Sequence, residues 1–330
     1  NQGFLKPYKC LFSKMNMGRQ DEIVKERLKK LEKLRRNKIA PYISKYSVKN
    51  ISSELQENYS KLKDGEKSKD SVSVSGRIMT IRDMGKIIFA SVYDGHGKIQ
   101  LILQKGETPD KIIEFFREYI DSGDFLAAEG TIFRTQRGEL SVLVNKAVLL
   151  TKSIYPLPEK WHGIQDSEER LRKRYLDILM NPEVKEMFIR KSKFWNSMRN
   201  FLLEKGFLEV ETPVLENSAG GANATPFITH HNALNIDVFL RISMGELWQK
   251  KLMIAGYSKT FEIGRQFRNE GMDAEHLQDY TQMEFYWAYA NYEDGMELVR
   301  DIYIKLAKDV YGKTKFKFGK HEFNLLDKWK

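Results

Sequence analysis

The chain has 330 residues, of which 41% are hydrophobic and 30% charged, with a net charge of +10 and one cysteine. That length accommodates two domains with cores of their own. No apolar run nears the roughly 20 residues needed to span a bilayer, and a lone Cys10 excludes both an intrachain disulfide and a cysteine zinc cluster. A reducing, cytoplasmic setting fits the cysteine usage. The positive balance fits a polyanionic partner, although many basic proteins bind no nucleic acid.

Residues 1–16 begin without methionine and show neither helical periodicity nor the apolar stretch of a secretory signal. Met15 and Met17 stand directly before a charged helical stretch, so residues 1–16 are read as a leader or non-native segment. From Asp21 to Lys38, Val24, Leu28, Leu31 and Leu34 recur at helical spacing. Lys25, Lys29, Lys30, Lys33, Arg35 and Arg36 crowd the rest of that helix. Such a surface is either a solvated face or a helix lying beside an RNA backbone. Pro41 closes the segment, and a second helix is expected near Ile51–Leu62, followed by a loop from Lys63 to Asp70. Residues 17–70 therefore read as a basic helical region.

Between residues 71 and 152 the period changes to two. Strands are predicted at Val72–Arg82, Lys86–Tyr93, Lys98–Leu103, Phe125–Arg134 and Leu140–Leu150. Asp83-Met84-Gly85, Asp94-Gly95-His96-Gly97 and Gln136-Arg137-Gly138 supply turns. A helix from Pro109 to Ile120 follows the third strand. Five strands with one helix after the third is the order of an OB-fold, a small barrel used for oligonucleotides, though other small barrels share it.

Tyr155-Pro156-Leu157-Pro158 marks a boundary, and residues 153–180 read as a linker with a charged stretch from Asp166 to Asp177. Asn181-Pro182 places an N-cap and a first-turn proline before a long helix whose apolar face is Val184, Met187, Phe188, Trp195, Met198 and Leu202. Gly206 stops it. Strands are expected at Phe207–Thr212, Phe239–Ser243, Lys259–Phe267 and Gln282–Ala290, with a helix near Leu247–Ala255. Residues 181–330 thus form an α+β domain with an antiparallel sheet and flanking helices. No fixed-period repeat occurs.

The chemistry concentrates between Phe261 and Tyr286. No zinc ligand set or Ser-His-Asp arrangement is suggested, and Gly95-His96-Gly97 lacks the lysine-serine ending of a phosphate loop. Arg265 and Arg268 lie among Glu262, Glu270, Glu275 and Glu284. On a strand, Glu262 and Arg268 share one face, and Ile263, Arg265 and Phe267 the other. An arginine fork bridges two anions such as a carboxylate and a phosphate; a structural ion-pair network uses the same residue types. Tyr280 is suited to stacking on a base. His276 falls in the connecting loop, either solvent-facing or near a polyphosphate.

Phe267-Arg268-Asn269-Glu270-Gly271, then His276, Tyr280 and Met283-Glu284-Phe285-Tyr286, resemble motif 2 of the class II lysyl-tRNA synthetases. Gly206-Phe207-Leu208-Glu209-Val210-Glu211-Thr212-Pro213 resembles motif 1. His162-Gly163, Asp166 and Arg174-Tyr175-Leu176-Asp177 resemble the joining segment, and Thr229-His230-His231-Asn232-Ala233-Leu234 also resembles that family. The likeness runs from about Met17 to Lys330. It implies an OB-fold anticodon-binding domain at 71–152 and part of a class II catalytic domain at 181–330.

The resemblance implies that Arg268 is the catalytic arginine, holding the amino-acid carboxylate and the ATP α-phosphate. Glu270 would read the adenine amino group, His276 would lie near the outer phosphates, and Tyr280 would stack on adenine where the family usually has phenylalanine. Gly221 and Glu246 would take the α-amino group of lysine, with Glu284 and Tyr286 near its ε-ammonium. Carboxylates and a phenol oxygen suit a desolvated ammonium. Ser243-Met244-Gly245 precedes Glu246 where many relatives have a shorter turn. On the barrel, Arg77, Phe89, Gln100 and Glu139 fall where the family reads the anticodon, with Phe89 facing solvent and stacking on the central base; the residues alone equally allow Phe89 a place in the core.

The resemblance further implies ATP as substrate, Mg2+, a lysine tRNA, and a homodimer through the motif 1 region. The third class II motif, a Gly-rich strand and helix ending in arginine, is not found before Lys330. Residues 1–330 alone are therefore expected to bind tRNA without forming lysyl-adenylate, with magnesium ligands expected beyond residue 330. Aspartyl- and asparaginyl-tRNA synthetases share the layout, but Glu246 and Glu284 would repel an aspartate side chain. A non-catalytic RNA-binding protein using the barrel alone is the alternative of another class.

Overall fold

The computed structural model describes residues 17–158, 166–273 and 275–329. The leader reading of residues 1–16, Cys10 and the His162-Gly163 match lie outside the described residues. Two compact units divide between Leu176 and Asp177.

In the first unit, α1 (Met17–Arg36) buries Leu31 and Leu34, whereas Leu28 is exposed. The inward place beside them belongs to Arg27, which lies on the Leu31–Leu34 stripe; Leu28 is about 100° off it. The buried Arg27 guanidinium donates to the carbonyls of Ser122 (2.8 Å), Tyr155 (3.1 Å) and Ser153 (3.3 Å). Lys30 reaches Asp121 at 2.7 Å, and Lys33 pairs with Glu118. Part of the basic surface of α1 therefore anchors the helix to its own domain.

After α2 (Ser52–Asn58) come β1 (Lys67–Asp83), β2 (Ile87–Tyr93), β3 (Lys98–Gln104), α3 (Asp110–Tyr119), β4 (Phe125–Arg134) and β5 (Leu140–Thr151). The strands close into a barrel in the order β1-β2-β3-β5-β4, with β3 and β5 parallel and the other neighbours antiparallel. This is the expected five-stranded OB-fold. One correction concerns Lys67–Asp70, expected as loop: these residues extend β1, and Lys67 pairs with Phe133. Their polarity reflects an exposed strand end, where burial no longer imposes alternation.

Ile88, Ala90 and Val92 of β2 point inward, and Phe89, Ser91 and Tyr93 alternate outward. The core is built of Val74, Ile78, Leu101, Leu126, Ile132 and Val142, with Phe116 of α3 among them. Lys152, wholly buried, is held by Asp121 (2.5 Å), Asp124 (2.8 Å) and the Tyr119 carbonyl (2.7 Å). Two short helices follow, α4 (Ser167–Arg172), capped by Asp166, and α5 (Arg174–Met180).

In the second unit α6 (Pro182–Glu204) starts at Asn181, whose side chain donates to Asp177 at 2.6 Å rather than capping the helix. Gly206, with φ +80°, ends it in the left-handed conformation that lacks a penalty only for glycine. Then come β6 (Leu208–Glu209), β7 (Leu215–Glu216), β8 (Ile228–His231), β9 (Ile236–Leu240), α7 (Glu246–Ile254), β10 (Lys259–Phe267), β11 (Asp279–Trp287), α8 (Tyr292–Tyr311), β12 (Lys315–Phe318) and β13 (His321–Asn324).

One sheet runs β11-β10-β6, a second runs β7-β9-β8, and β12 and β13 form a hairpin. β10 has the predicted bounds. The strand expected at Phe207–Thr212 shrinks to Leu208–Glu209, because only Leu208 and Glu209 find partners on β10. β9 ends at Leu240, before the residues expected to finish it, since Arg241–Ser243 turn to side-chain contacts described below. β11 runs from Asp279 to Trp287 rather than Gln282 to Ala290: Tyr289 adopts φ +65°, which breaks an extended strand.

α8 was not among the predicted elements. It opens with a capping box from Asn291 and Asp294 and buries Leu298, Ile302 and Leu306. These pack with Met198, Phe201 and Leu202 of α6 and Phe261 of β10 into the core of this unit.

Candidate functional site

The β10–β11 ladder has two unlike faces. Phe261, Ile263, Met283, Phe285 and Trp287 face the core. On the other face the register sets Thr260 opposite Tyr286, Glu262 opposite Glu284, Gly264 opposite Gln282 and Gln266 opposite Tyr280. Thr260, Glu262 and Gln266 are buried although polar. Two carboxylates directly opposed across a ladder repel each other, and their surroundings answer this differently. Glu262 is neutralised by the buried Arg241 at 2.5 Å and accepts from Thr212 at 2.7 Å. Glu284 accepts from the Tyr286 hydroxyl (3.0 Å), the Met244 backbone N–H (3.4 Å) and the Gln282 amide (3.4 Å). None of those three donors carries a charge, and no ion pair to the half-buried Glu284 occurs among the described residues.

The segment from Arg241 to Glu246 joins the parts of this face. Arg241 also donates to the Arg265 carbonyl at 2.8 Å. The Ile242 carbonyl lies 3.4 Å from Arg268 Nε. Ser243 donates to the Gly220 carbonyl at 3.0 Å. Met244 is fully buried; its N–H points to Glu284, and its carbonyl accepts from Gln249 at 2.8 Å. Gly264 leaves room for this packing, since a Cβ there would come within 2.8 Å of Met244 Cε and collide with Arg241. The turn before Glu246 closes on Gly245, left-handed at φ +61° and pressed against Thr212.

Gly221, φ +88°, meets the same segment: a Cβ would lie 2.6 Å from Glu246 Oε2 and inside contact distance of Ser243 Oγ. Glu246 is also bonded to the exposed Lys250 at 2.5 Å. Burial, then the Glu284 carboxylate and more weakly Glu246, push the Tyr286 phenol above its ordinary range. Of the five residues that the resemblance implied for lysine, Gly221, Glu246, Glu284 and Tyr286 are thus brought together, with Arg268 on the adjoining segment. Burial likewise raises the Glu216 carboxyl, near Arg241 and Glu262.

The other motif 2 residues are more open. The Arg268 guanidinium lies 5.8 Å from the Tyr280 ring centroid. Glu270 accepts from the Thr225 N–H at 3.0 Å, and the Asn269 N–H donates to the Thr225 carbonyl at 2.8 Å. His276 sits in an exposed turn at 2.8 Å from Asp273 and makes no contact with Arg268 or Glu270 among the described residues. Arg265 pairs with Asp279 on the opposite face. No cluster of three or more His, Cys, Asp or Glu suited to a metal occurs among the described residues, so no magnesium ligand is assigned.

On the barrel, the outward positions of β1, β2 and β3 and the approach to β5 carry the four residues named for base reading. Phe89 is half-buried on the outer face, beside Arg82 at 5.8 Å. Gln100 is buried, donating to Glu139 at 2.9 Å and accepting from Ser141 at 3.0 Å. Arg77 lies toward one end of the face, stacked on Phe125 at 4.3 Å and donating to the Gly123 carbonyl at 3.0 Å; burial lowers its pKa.

Sequence reasoning missed Arg241, Thr212, Thr225, Gln266 and Gln282. Arg241 had a signal: a single charge within the apolar run Val238-Phe239-Leu240-Arg241-Ile242, where burial demands a partner. The others are pairwise contacts across distant segments, which periodicity does not encode.

Residues 166–328 match the family described as tRNA synthetases class II (D, K and N), and residues 72–150 match the OB-fold nucleic acid binding domain. The chain is 42% identical over 310 residues to a lysine–tRNA ligase of Carboxydothermus hydrogenoformans, covering 94% of this chain and 62% of that protein. It is 43% identical over 314 residues to one of Oceanobacillus iheyensis, covering 92% and 63%. A third, of Roseiflexus castenholzii, is 45% identical over 312 residues, covering 94% and 63%. The chain thus spans about three fifths of the length of these relatives. The barrel order and the polar face of the β10–β11 ladder agree with both matches: residues 166–328 belong to the class II tRNA synthetases of the D, K and N group, with an OB-fold domain at residues 72–150 ahead of them.

Proposed function

We propose that the chain supplies the lysine-activating face and the anticodon-reading barrel of a lysine–tRNA ligase, an enzyme that activates lysine with ATP and transfers it to a tRNA. The observation that carries the reading is Glu284, a half-buried carboxylate served among the described residues by neutral donors, with Glu246 as a second carboxylate acting on the same Tyr286 phenol. Such a pair attracts a substrate with two ammonium groups and repels aspartate. In this reading Glu246 and Gly221 take the α-ammonium, and Glu284 with the Tyr286 oxygen takes the side-chain ammonium. Arg268 bridges the lysine carboxylate and the ATP α-phosphate, its fork matched to both. Tyr280 stacks on adenine, Glu270 accepts from its amino group, and His276 lies toward the outer phosphates.

No general base is needed. The lysine carboxylate, already an anion, attacks the α-phosphorus in line and pyrophosphate leaves, while Arg268 offsets the developing charge. The 3′ hydroxyl of the terminal ribose of tRNA then attacks the lysyl carbonyl, the ester forms as the acyl–phosphate bond breaks, and AMP leaves. Magnesium would accompany ATP as its counter-ion. Phe89 stacks on the central anticodon base, Gln100 and Glu139 contact base edges, and Arg77 borders the site. A homodimer through the motif 1 region is supported by Met187, Phe188 and Ile189, exposed on α6. A cytoplasmic location goes with the substrates; among the described residues no helix is long and apolar enough to cross a membrane.

Amino-acid-dependent ATP–pyrophosphate exchange, measured on an intact enzyme that includes this chain, tests the reading. Lysine is expected to support exchange well above aspartate or asparagine; preference for either of the latter moves the assignment to the sister enzymes. Binding of a lysine anticodon stem-loop without lysine or ATP binding would leave only the barrel's function.

A further inference from the structure

Gln266 and Gln282 form an amide relay behind Glu284. Gln282 donates its Nε2–H to Glu284 Oε2 at 3.4 Å, and its Oε1 accepts from Gln266 Nε2. The direction of both amides follows from the carboxylate. An ionised carboxylate only accepts, so Gln282 must turn its amino group toward Glu284 and its oxygen toward Gln266. Gln266 must then present its own amino group. Its oxygen is left over: Gln266 is wholly buried, and its Oε1 is the buried side-chain atom without a hydrogen-bond partner among the described residues. A packing role alone would be met by an apolar side chain of similar size, with no orphaned oxygen.

The relay acts on one oxygen of the carboxylate. Gln282 and the Met244 N–H both address Oε2, whereas Oε1 receives, among the described residues, the Tyr286 hydroxyl alone. Oε1 therefore retains acceptor capacity, and the plane of the carboxylate is held from the other side. Gly264, opposite Gln282 in the ladder, has no side chain to intervene.

We propose that Gln282, oriented by Gln266, is a positioning residue that fixes the Glu284 carboxylate for the side-chain ammonium of the amino acid. This rests on the reading of Glu284 given above. It assigns selectivity for a long cationic side chain to a pair of neutral amides that need not touch the substrate.

The test is lysine binding to the full chain by titration calorimetry, with thermal unfolding measured on the same proteins. Gln282→Met, which keeps the length and removes the donor, is expected to raise the lysine Kd about tenfold, the lower range for a lost hydrogen bond to a charged group. Gln266→Met is expected to raise it less. The double variant should match Gln282→Met, because Gln266 acts only through Gln282. Where Gln282→Met does not fold, Gln282→Asn, one carbon short, should weaken binding in the same direction. A Gln282→Met protein that binds lysine like the unsubstituted chain overturns the proposal, as does a lower melting temperature with unchanged Kd. Glu284→Gln separates the two levels. If it leaves lysine binding intact, or if the unsubstituted chain binds no lysine, the reading of Glu284 fails; if it abolishes binding while Gln282→Met has no effect, only the relay fails.

Discussion

The barrel and the synthetase sheet place function differently with respect to their cores. In the barrel, alternation sends Ile88, Ala90 and Val92 inward and leaves Phe89, Ser91 and Tyr93 outside. The residues that hold the fold and those that would meet a base are on opposite faces of the same strands. In the β10–β11 ladder one face is apolar core and the other is also largely buried, but polar. There Thr260, Glu262 and Gln266 are at once interior residues and the wall of the site. The two regions should therefore respond differently to substitution: stability and ligand binding separate in the barrel and are entangled in the sheet.

The strongest way to break this comparison is at Arg241. Its guanidinium and the Glu262 carboxylate are both buried and 2.5 Å apart. Arg241→Ala leaves Glu262 charged, buried and opposite Glu284. Removing one partner of a buried pair costs about 3–5 kcal/mol, and chemical denaturation should show a loss of that order in the synthetase unit. A loss below about 1 kcal/mol would mean that the polar face is not integral to the fold.

A smaller effect is expected at Glu284 itself, where the proposed partner is a ligand rather than a buried cation. Glu284→Gln should weaken lysine binding by about 1.5–3 kcal/mol, the range for a hydrogen bond to a charged group. The Tyr286 phenol provides an independent reading. Burial is the first cause of its raised pKa and the Glu284 charge the second. In the Glu284→Gln protein an ultraviolet pH titration should show the phenol ionising at lower pH than in the parent, though still above an exposed tyrosine. An unchanged titration would remove Glu284 from the neighbourhood of Tyr286.

On the barrel the same logic predicts the reverse. Phe89→Ala should weaken binding of a lysine anticodon stem-loop by about 1–3 kcal/mol, the worth of a stacked base. Its melting temperature should stay close to that of the parent, because Phe89 lies outside the packed interior formed by Ile88 and Ala90. Equal RNA binding by the two proteins would take the stacking role from Phe89.

How much of each region could be read from sequence follows from the same contrast. A barrel with one buried face writes itself as alternation, and its five strands and the helix after the third were legible from Val72 to Leu150. The misread part, Lys67–Asp70, is where the strand leaves the core and burial stops selecting side chains. The synthetase sheet was harder. β10 was placed to the residue, but β11 opens on Asp279-Tyr280-Thr281, which carry no apolar alternation, so β11 was drawn three residues late. The motif residues Arg268, Glu270, Glu284 and Tyr286 were legible through the family resemblance, whereas Arg241, Gln266 and Gln282 acquire meaning only when the ladder register and the turn at Gly245 bring them together.

The smallest effect should come from the side of the synthetase unit that has no part in the site. Asn291 caps α8, accepting from the Glu293 N–H at 2.8 Å and the Asp294 N–H at 3.0 Å, while Asp294 returns a bond to the Asn291 N–H at 2.8 Å. The helix buries Leu298, Ile302 and Leu306 against the apolar face of β10 and β11. Asn291→Ala removes one half of that reciprocal cap and should cost about 1 kcal/mol of stability. Because the apolar face separates α8 from Glu284 and Gln282, the lysine Kd should not move. Substitutions on the two faces of one ladder would then differ in kind: Arg241→Ala lowers stability through a buried charge, Glu284→Gln lowers affinity, and Asn291→Ala lowers stability with affinity intact. A shift in lysine Kd caused by Asn291→Ala would show that the apolar face transmits strain to the polar one, and that the two faces of the sheet are not independent.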